Sequence, residues 1–417
     1  MPVSSTAASN YGIVRNVRLP DRAGRFDVTM AKGFVSSIAP HDAAAPPVGD
    51  MIDGGGDMAV PAFVDGHVHL DKTFIGIEWV SHSGSDTVAS RIAAEKYLRS
   101  HHQGTLPLRA AKLASRMLQY GTTALRTHVD IDETNRLSSF DTILALREDM
   151  REAIDMQIVA FPQSGLRVSA TVLGDLEAAL LAGADVVGGV DPTAIDGDVD
   201  GSLDAIFNLA ARHTAGVDLH LHEAGEMGAA VIEGMCRRAI ALQLQGKVTV
   251  SHGFCLADLS GARLHGLAET MAEAGVALMT SAPGAGELVP VVQLAQRGVR
   301  VFAGSDNIRD AWAPSGNGDM LDRARLLAYR ADLRTDELLR FAFDCATRFP
   351  VEILGFATRG PSVGSQADMV LLPSPSIERA VCDVPVSRRV IRKGRVIAPS
   401  QEPGTVSFNP LTGGIRI

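Results

Sequence analysis

Short apolar runs and amphipathic stretches alternate along most of this chain. From Val60 onward eight runs of strand length recur: VPAFVDGHVH (60–69), TALRTHVDI (123–131), MQIVAFP (156–162), DVVGGVDP (185–192), VDLHLHE (217–223), VTVSHG (248–253), VALMTSAP (276–283) and VRVFAGSD (299–306). Short apolar character bounded by turn residues marks buried strands. Between the runs the spacing of apolar residues predicts helices, among them LRAAKLASRMLQYG, LEAALLAGA, DAIFNLAARH, AAVIEGMCRRAIALQL, ARLHGLAETMAEAG and VVQLAQRG. Eight alternating β and α units predict an α/β fold, a (β/α)8 TIM-like barrel. A doubly wound open sheet is the alternative arrangement of the same elements.

The pattern differs at both ends. Residues 1–58 read as short strands, YGIVRNVRLP and RFDVTMAKGFVSSIAP with a turn at Lys32-Gly33, followed by a Gly-rich turn at residues 53–56. After the last run, MLDRARLLAYRA and TDELLRFAFDCATRF have helical spacing, and strands return in ADMVLLP and VSRRVIRKGRVIA with a turn at Lys393-Gly394. Strands at both ends predict one small composite β domain, residues 1–58 with 360–417. The barrel, residues 59–359, is inserted between its two halves.

Composition narrows the class of partner. A chain of 417 residues, 46% apolar and 21% charged, is an ordinary globular sequence large enough for such a core. Its net charge of −9 comes without a block of like charge, so nucleic acid and anionic membranes are not expected partners; a small neutral or cationic molecule is. Self-association into a homo-oligomer is compatible with such a fold. Cys236, Cys255, Cys345 and Cys382 lie far apart with no C-x-x-C pair, which argues against a disulfide framework or a cysteine metal site and for reduced, buried thiols. No basic segment leads an apolar stretch at the N-terminus and no window reaches 18 apolar residues, so a soluble cytoplasmic protein is expected.

The chemistry lies at the C-terminal ends of the runs, the face that carries barrel active sites. His67 and His69 end the first, His128 and Asp130 the second, His220, His222 and Glu223 the fifth, His252 the sixth and Asp306 the eighth, while Gln163 follows the third. Two residues apart on a strand, His67 and His69 project to one side and can reach one metal ion. Alone the pair is a weak signal, read more often as two hydrogen-bonded polar residues on a half-exposed strand. Further histidines and an aspartate at later strand ends, converging on one mouth, favour the metal.

The segments GHVHLDKTF, RTHVDID, QIVAFPQ, ADVVGGV, VDLHLHEAGE, VTVSHG and GSDNIRDAW, in this order, resemble the amidohydrolase superfamily, most closely its cytosine deaminase-like branch. The resemblance implies one divalent metal ion per chain, held by His67, His69, His220 and Asp306, with His252 beside the attacking water and Glu223 as proton shuttle. It also implies that Gln163 grips an amide-like edge of a heterocyclic substrate, with Asn307 and Trp312 as further substrate contacts. Neutral imidazoles and one carboxylate suit the task. They leave a divalent cation charged enough to bring the pKa of its water toward neutrality, and zinc, iron and manganese all accept such a set. Asp306 can take the proton of that water, His252 can hydrogen-bond the oxygen as it adds, and Glu223 can protonate a ring nitrogen and help an amine leave.

His128, Asp130 and His222 are expected to hold ligands or substrate in orientation. Asp71 and Lys72 either line the mouth or pair with each other, and Phe74 and Trp79 follow near the mouth. Lys72 does not suit a bridging role between two metals. Cytosine deaminases carry a second acid after the metal-binding aspartate; here Asn307 replaces it, and an amide neither accepts a proton nor adds charge. The expected activity is therefore hydrolytic deamination, or alkylamine removal, on an aminopyrimidine or aminotriazine. Hydrolysis of a cyclic amide is the alternative within the superfamily. A non-catalytic barrel that only binds is the alternative of another class.

Overall fold

The computed structural model describes residues 12–46, 50–82, 87–284 and 286–397, together with the short strands Ser407–Phe408 and Ile415–Arg416. Five strands open the chain: β1 (Ile13–Leu19), β2 (Arg22–Ala31), β3 (Phe34–Pro40), β4 (Met51–Asp53) and β5 (Met58–Pro61). The barrel strands are β6 (Phe63–Val68), β7 (Thr122–Asp130), β8 (Asp155–Phe161), β9 (Val186–Val190), β10 (Gly216–Leu221), β11 (Val248–His252), β12 (Val276–Thr280) and β13 (Val301–Ala303). Beyond them lie β14 (Met369–Leu372), β15 (Arg389–Arg392) and β16 (Arg395–Ile397).

The flanking strands form one sheet in the order β16-β15-β14-β5-β1-β2-β3, with β4 also on β1, so both ends of the chain build the composite β domain. Its hairpins turn where expected. Lys32 and Gly33, like Lys393 and Gly394, have positive φ, the geometry of two-residue turns that match strand twist. The run at 60–69 reads as one strand in sequence but divides at Ala62. β5 pairs antiparallel with β14, and β6 then enters the barrel beside β7. Apolar residues continue across the division because both sheets bury them.

β6 to β13 pair in sequence order, each parallel to the next, as a (β/α)8 barrel requires. The seam between last and first strands is closed by the Asp306 N–H, which donates to the His67 carbonyl at 2.7 Å, and by the Val68–Asp306 bridge. Gly304 makes this approach feasible: a Cβ there would lie 2.6 Å from His67 Cβ and 2.7 Å from its carbonyl oxygen. Helices cover the barrel with apolar stripes. Leu106–Gln119, for instance, buries Leu106, Ala110, Leu113, Ala114, Met117 and Leu118. Helix Val88–His102 follows another logic, since among its described side chains only Ile92 and Glu95 are buried.

Buried ion pairs join the two parts. Arg392 donates to Asp155 Oδ1 at 2.7 Å and pairs with Asp368, and Arg359 reaches Asp155 Oδ2 at 3.2 Å. Arg388 grips Asp319 through two hydrogen bonds, at 2.7 and 2.6 Å. Three cysteines are free and buried; Cys382, against expectation, is exposed on the short helix Ile377–Asp383. Among the described residues no helix is long and apolar enough to cross a membrane.

Candidate active site

The ends of β6, β10, β11 and the segment after β13 bring His67, His69, His220, His252 and Asp306 together at the C-terminal mouth of the barrel. Asp306 Oδ1 lies 3.5 Å from His67 Nε2 and 3.4 Å from His69 Nε2, and His69 Nε2 faces His220 Nε2 at 3.4 Å. Ligand atoms of His67, His220, His252 and Asp306 all fall within 4.8 Å of one another. His69 joins this group through Asp306 and His220. A second group of the same tightness, His67, His69 and His128, shares two of its histidines. The His128 ring stacks on His67 with centroids 3.8 Å apart.

The tautomer of His67 follows from its neighbours. Ser251 Oγ donates to Asp218 Oδ1 at 2.6 Å and so can only accept from His67 Nδ1–H, at 2.9 Å. The lone pair of Nε2 is therefore turned toward Asp306, and that buried atom has no hydrogen-bond partner. An orphaned imidazole lone pair beside a carboxylate, with two more imidazoles in reach, is a donor set that could hold a divalent cation. Burial, reinforced by positive neighbours, pulls His69 and His220 far below the ordinary histidine value, and His128 to about 3. His252 is likewise pulled down by burial, although Asp306 opposes it. Burial pushes Asp306 upward, but the imidazoles of His252, His67 and His69 that face it outweigh it, holding this carboxyl well below the usual range. The imidazoles of His69, His128, His220 and His252 are thus held neutral beside an ionised carboxylate.

The other expected residues occupy varied positions. Glu223 accepts from Thr193 N at 2.7 Å, Ala194 N at 2.8 Å and Thr193 Oγ1 at 2.8 Å, so the segment after β9 holds its carboxylate. His222 Nδ1 lies 2.7 Å from Asp191 Oδ2, and its ring stacks on His252. Asn307 Nδ2 donates to Asp310 Oδ2 at 2.7 Å, and Trp312 donates its indole N–H to Glu95. Gln163 accepts from Lys72 Nζ at 2.5 Å. Asp71 and Lys72 do not pair with each other: Asp71 accepts from the Asp130 N–H at 2.9 Å, while Lys72 Nζ lies 3.2 Å from both Glu95 Oε2 and Asp130 Oδ1. Burial works against the ammonium of Lys72, yet Asp130, Glu95 and Asp71 outweigh it and keep it protonated. Phe74 is buried, but Trp79 is 63% exposed and meets Arg309 rather than the histidines.

Several contributors were not singled out from the sequence. Asp218 and Ser251 orient His67, Arg126 anchors Asp218 at 3.1 Å, and Glu95 and Arg99 reach the mouth from helix Val88–His102. Asp218 carried a usable signal, since it stands two residues before His220 and shares its face of β10. Glu95 carried none.

The amidohydrolase family profile matches residues 76–398. N-isopropylammelide isopropyl amidohydrolase of Pseudomonas sp. (strain ADP) is 31% identical over 93% of this chain and 97% of its own length. The crystal structure of N-isopropylammelide isopropylaminohydrolase from Burkholderia multivorans is similar with a TM-score of 0.88 and 39% identity, covering 92% of this chain and 97% of that one. The 5-methylcytosine deaminase of Klebsiella pneumoniae follows with a TM-score of 0.83 and 25% identity, over 94% and 98%. With its barrel, its composite sheet and its cluster of histidines and aspartate, this chain belongs to the amidohydrolase family.

Proposed function

We propose that the protein removes an amino or alkylamino group hydrolytically from a small nitrogen heterocycle, with an alkylaminotriazine favoured over cytosine. The observation that carries this reading is the convergence of the His67 and His69 Nε2 atoms on Asp306 Oδ1, with His220 Nε2 facing His69 Nε2 and the Nε2 lone pair of His67 left unpaired. His67, His69, His220 and Asp306 would hold one divalent ion. Bound there, such an ion supplies a Lewis acid that makes water a nucleophile near neutral pH.

The chain's own residues do the rest. Asp306 takes the proton of the attacking water, and His252 hydrogen-bonds the oxygen that develops on the ring carbon. Glu223 moves a proton to the ring nitrogen and then to the departing amine. Gln163 and Trp312 hold the ring, and Asn307, tied to Asp310, stands where cytosine deaminases carry an acid. The preference for a triazine rests on Asn307 and on the greater likeness to isopropylammelide hydrolases than to the methylcytosine deaminase.

The test is a screen of metal-loaded protein against aminated pyrimidines, triazines and pterins, with ammonia and alkylamine detection, beside Asp306→Asn. Amine release by the wild type and loss of bound metal in the variant are expected. Ring-opened product without amine would replace this reading with cyclic amide hydrolysis, and full metal retention by Asp306→Asn would remove Asp306 from the ligand set.

A further inference from the structure

Lys72 stands three residues beyond His69 and enters none of the steps above. Its side chain is buried, as are those of Glu95, Asp130 and Gln163 around it. An ammonium group carries only donors, so the amide atom of Gln163 that faces Nζ at 2.5 Å must be the oxygen. A reversed amide would set N–H against N–H in a buried place. The orientation of Gln163 is thereby fixed, and its Nε2, without a hydrogen-bond partner among the described residues, is the end left to meet a ligand. Held so, Gln163 turns its oxygen to the lysine and presents its two N–H donors to the ligand.

The lysine is itself held. Glu95 Oε2 and Asp130 Oδ1 flank Nζ at 3.2 Å, and the rings of Phe161 and Trp312 lie 5.5 and 5.6 Å away. Glu95 also accepts the indole N–H of Trp312. One lysine–glutamate pair therefore fixes both residues proposed to hold the ring.

We infer that Lys72 is a positioning residue that sets specificity: by engaging the Gln163 carbonyl, it makes the site select rings that present a lone pair at that edge, a carbonyl oxygen or an unprotonated ring nitrogen, over rings that present an N–H or amino group. This deepens the heterocycle-hydrolase reading and rests on it. An amino group at that edge would face the Gln163 donors with a donor of its own, a mismatch of about 10- to 100-fold in kcat/KM.

The experiment compares matched rings, in whichever ring class the wild type accepts, that differ only in carrying an oxo or an amino group away from the leaving group. The wild type is expected to prefer the oxo ring by that factor. In Lys72→Met the preference falls toward unity, carried by KM more than kcat, with metal content unchanged. In Gln163→Glu, Lys72 engages one carboxylate oxygen, the other presents an acceptor, and the preference inverts toward the amino ring. Should Lys72→Met fail to fold because Glu95 and Asp130 keep only Arg99 as a cation, Gln163→Glu, which keeps the lysine and its partners, decides. A wild-type preference for the amino ring, or a ratio that neither variant moves, overturns the inference while leaving the reaction intact. Amine release from no ring by metal-loaded wild type overturns the reaction, and the inference with it.

Discussion

Replacing Ser251 with alanine isolates one hydrogen-bond relay and asks what it contributes to metal affinity. The hydroxyl accepts from His67 Nδ1–H at 2.9 Å and donates to Asp218 Oδ1 at 2.6 Å. Asp218 is further held by Arg126 at 3.1 Å and approached by His128 Nε2 at 3.5 Å, so the carboxylate keeps partners in the variant. His67 does not. Its Nδ1–H becomes a buried donor without an acceptor, a penalty of about 1 to 3 kcal/mol, and the proton can move to Nε2 and occupy the lone pair a metal needs. A loss of about 1.4 to 2.8 kcal/mol corresponds to a roughly 10- to 100-fold rise in Kd. Zinc titration of metal-free protein against a competing chelator measures it, with circular dichroism as the control for folding. A folded Ser251→Ala protein whose zinc Kd stays within about twofold of the parent would refute the relay.

Two further outcomes concern stability and pH. Asp319→Ala leaves the buried Arg388 guanidinium without its bidentate partner and removes the side chain that caps helix Met320–Arg330, so urea unfolding should show a loss of about 3 to 5 kcal/mol; less than about 1 kcal/mol would contradict the pair's role. Burial raises Asp310 from 3.8 to about 6 despite hydrogen bonds from Asn307, Ala313 and Trp312. A raised carboxyl stabilises the fold fully below its unfolded value and loses that contribution as pH climbs through about 6. The stability of Asp310→Asn relative to wild type should accordingly rise between pH 4.5 and 7.5, by about 2 kcal/mol in urea midpoints converted to free energy, whereas a flat difference would sink the assignment.

Much of this was readable from the chain because the barrel writes itself in two periods. β strands buried on both faces leave short apolar runs, and outer helices leave stripes like that of Leu106–Gln119, so the order of elements was visible. Histidines at strand ends were visible for the same reason, since the run marks where the strand stops. What stayed hidden depends on contacts between distant elements. Helix Val88–His102 lacks an apolar stripe because it buries Glu95 against Lys72 and Trp312 rather than packing on the barrel wall, and neither Glu95 nor Arg99 differs in sequence from a solvated charge. The division at Ala62 was hidden because two sheets demand the same apolar residues on either side of it. Asp71 and Lys72, adjacent and oppositely charged, invited pairing, but the turn after β6 sends them to different partners.

The seam of the barrel has a consequence for how the protein is made. His67 and Asp306 both belong to the proposed metal site and are the two ends of the clasp that shuts the ring, and they come from its first strand and from the segment after its last. No partly wound chain possesses the site, so a nascent barrel cannot capture an ion tightly before its final strand arrives. Once shut, the ring is harder to open in proportion to the affinity of whatever ion sits there, because opening it would have to release that ion. For the site proposed above, cofactor loading and completion of the fold would be one event, and the melting temperature would gauge free metal concentration.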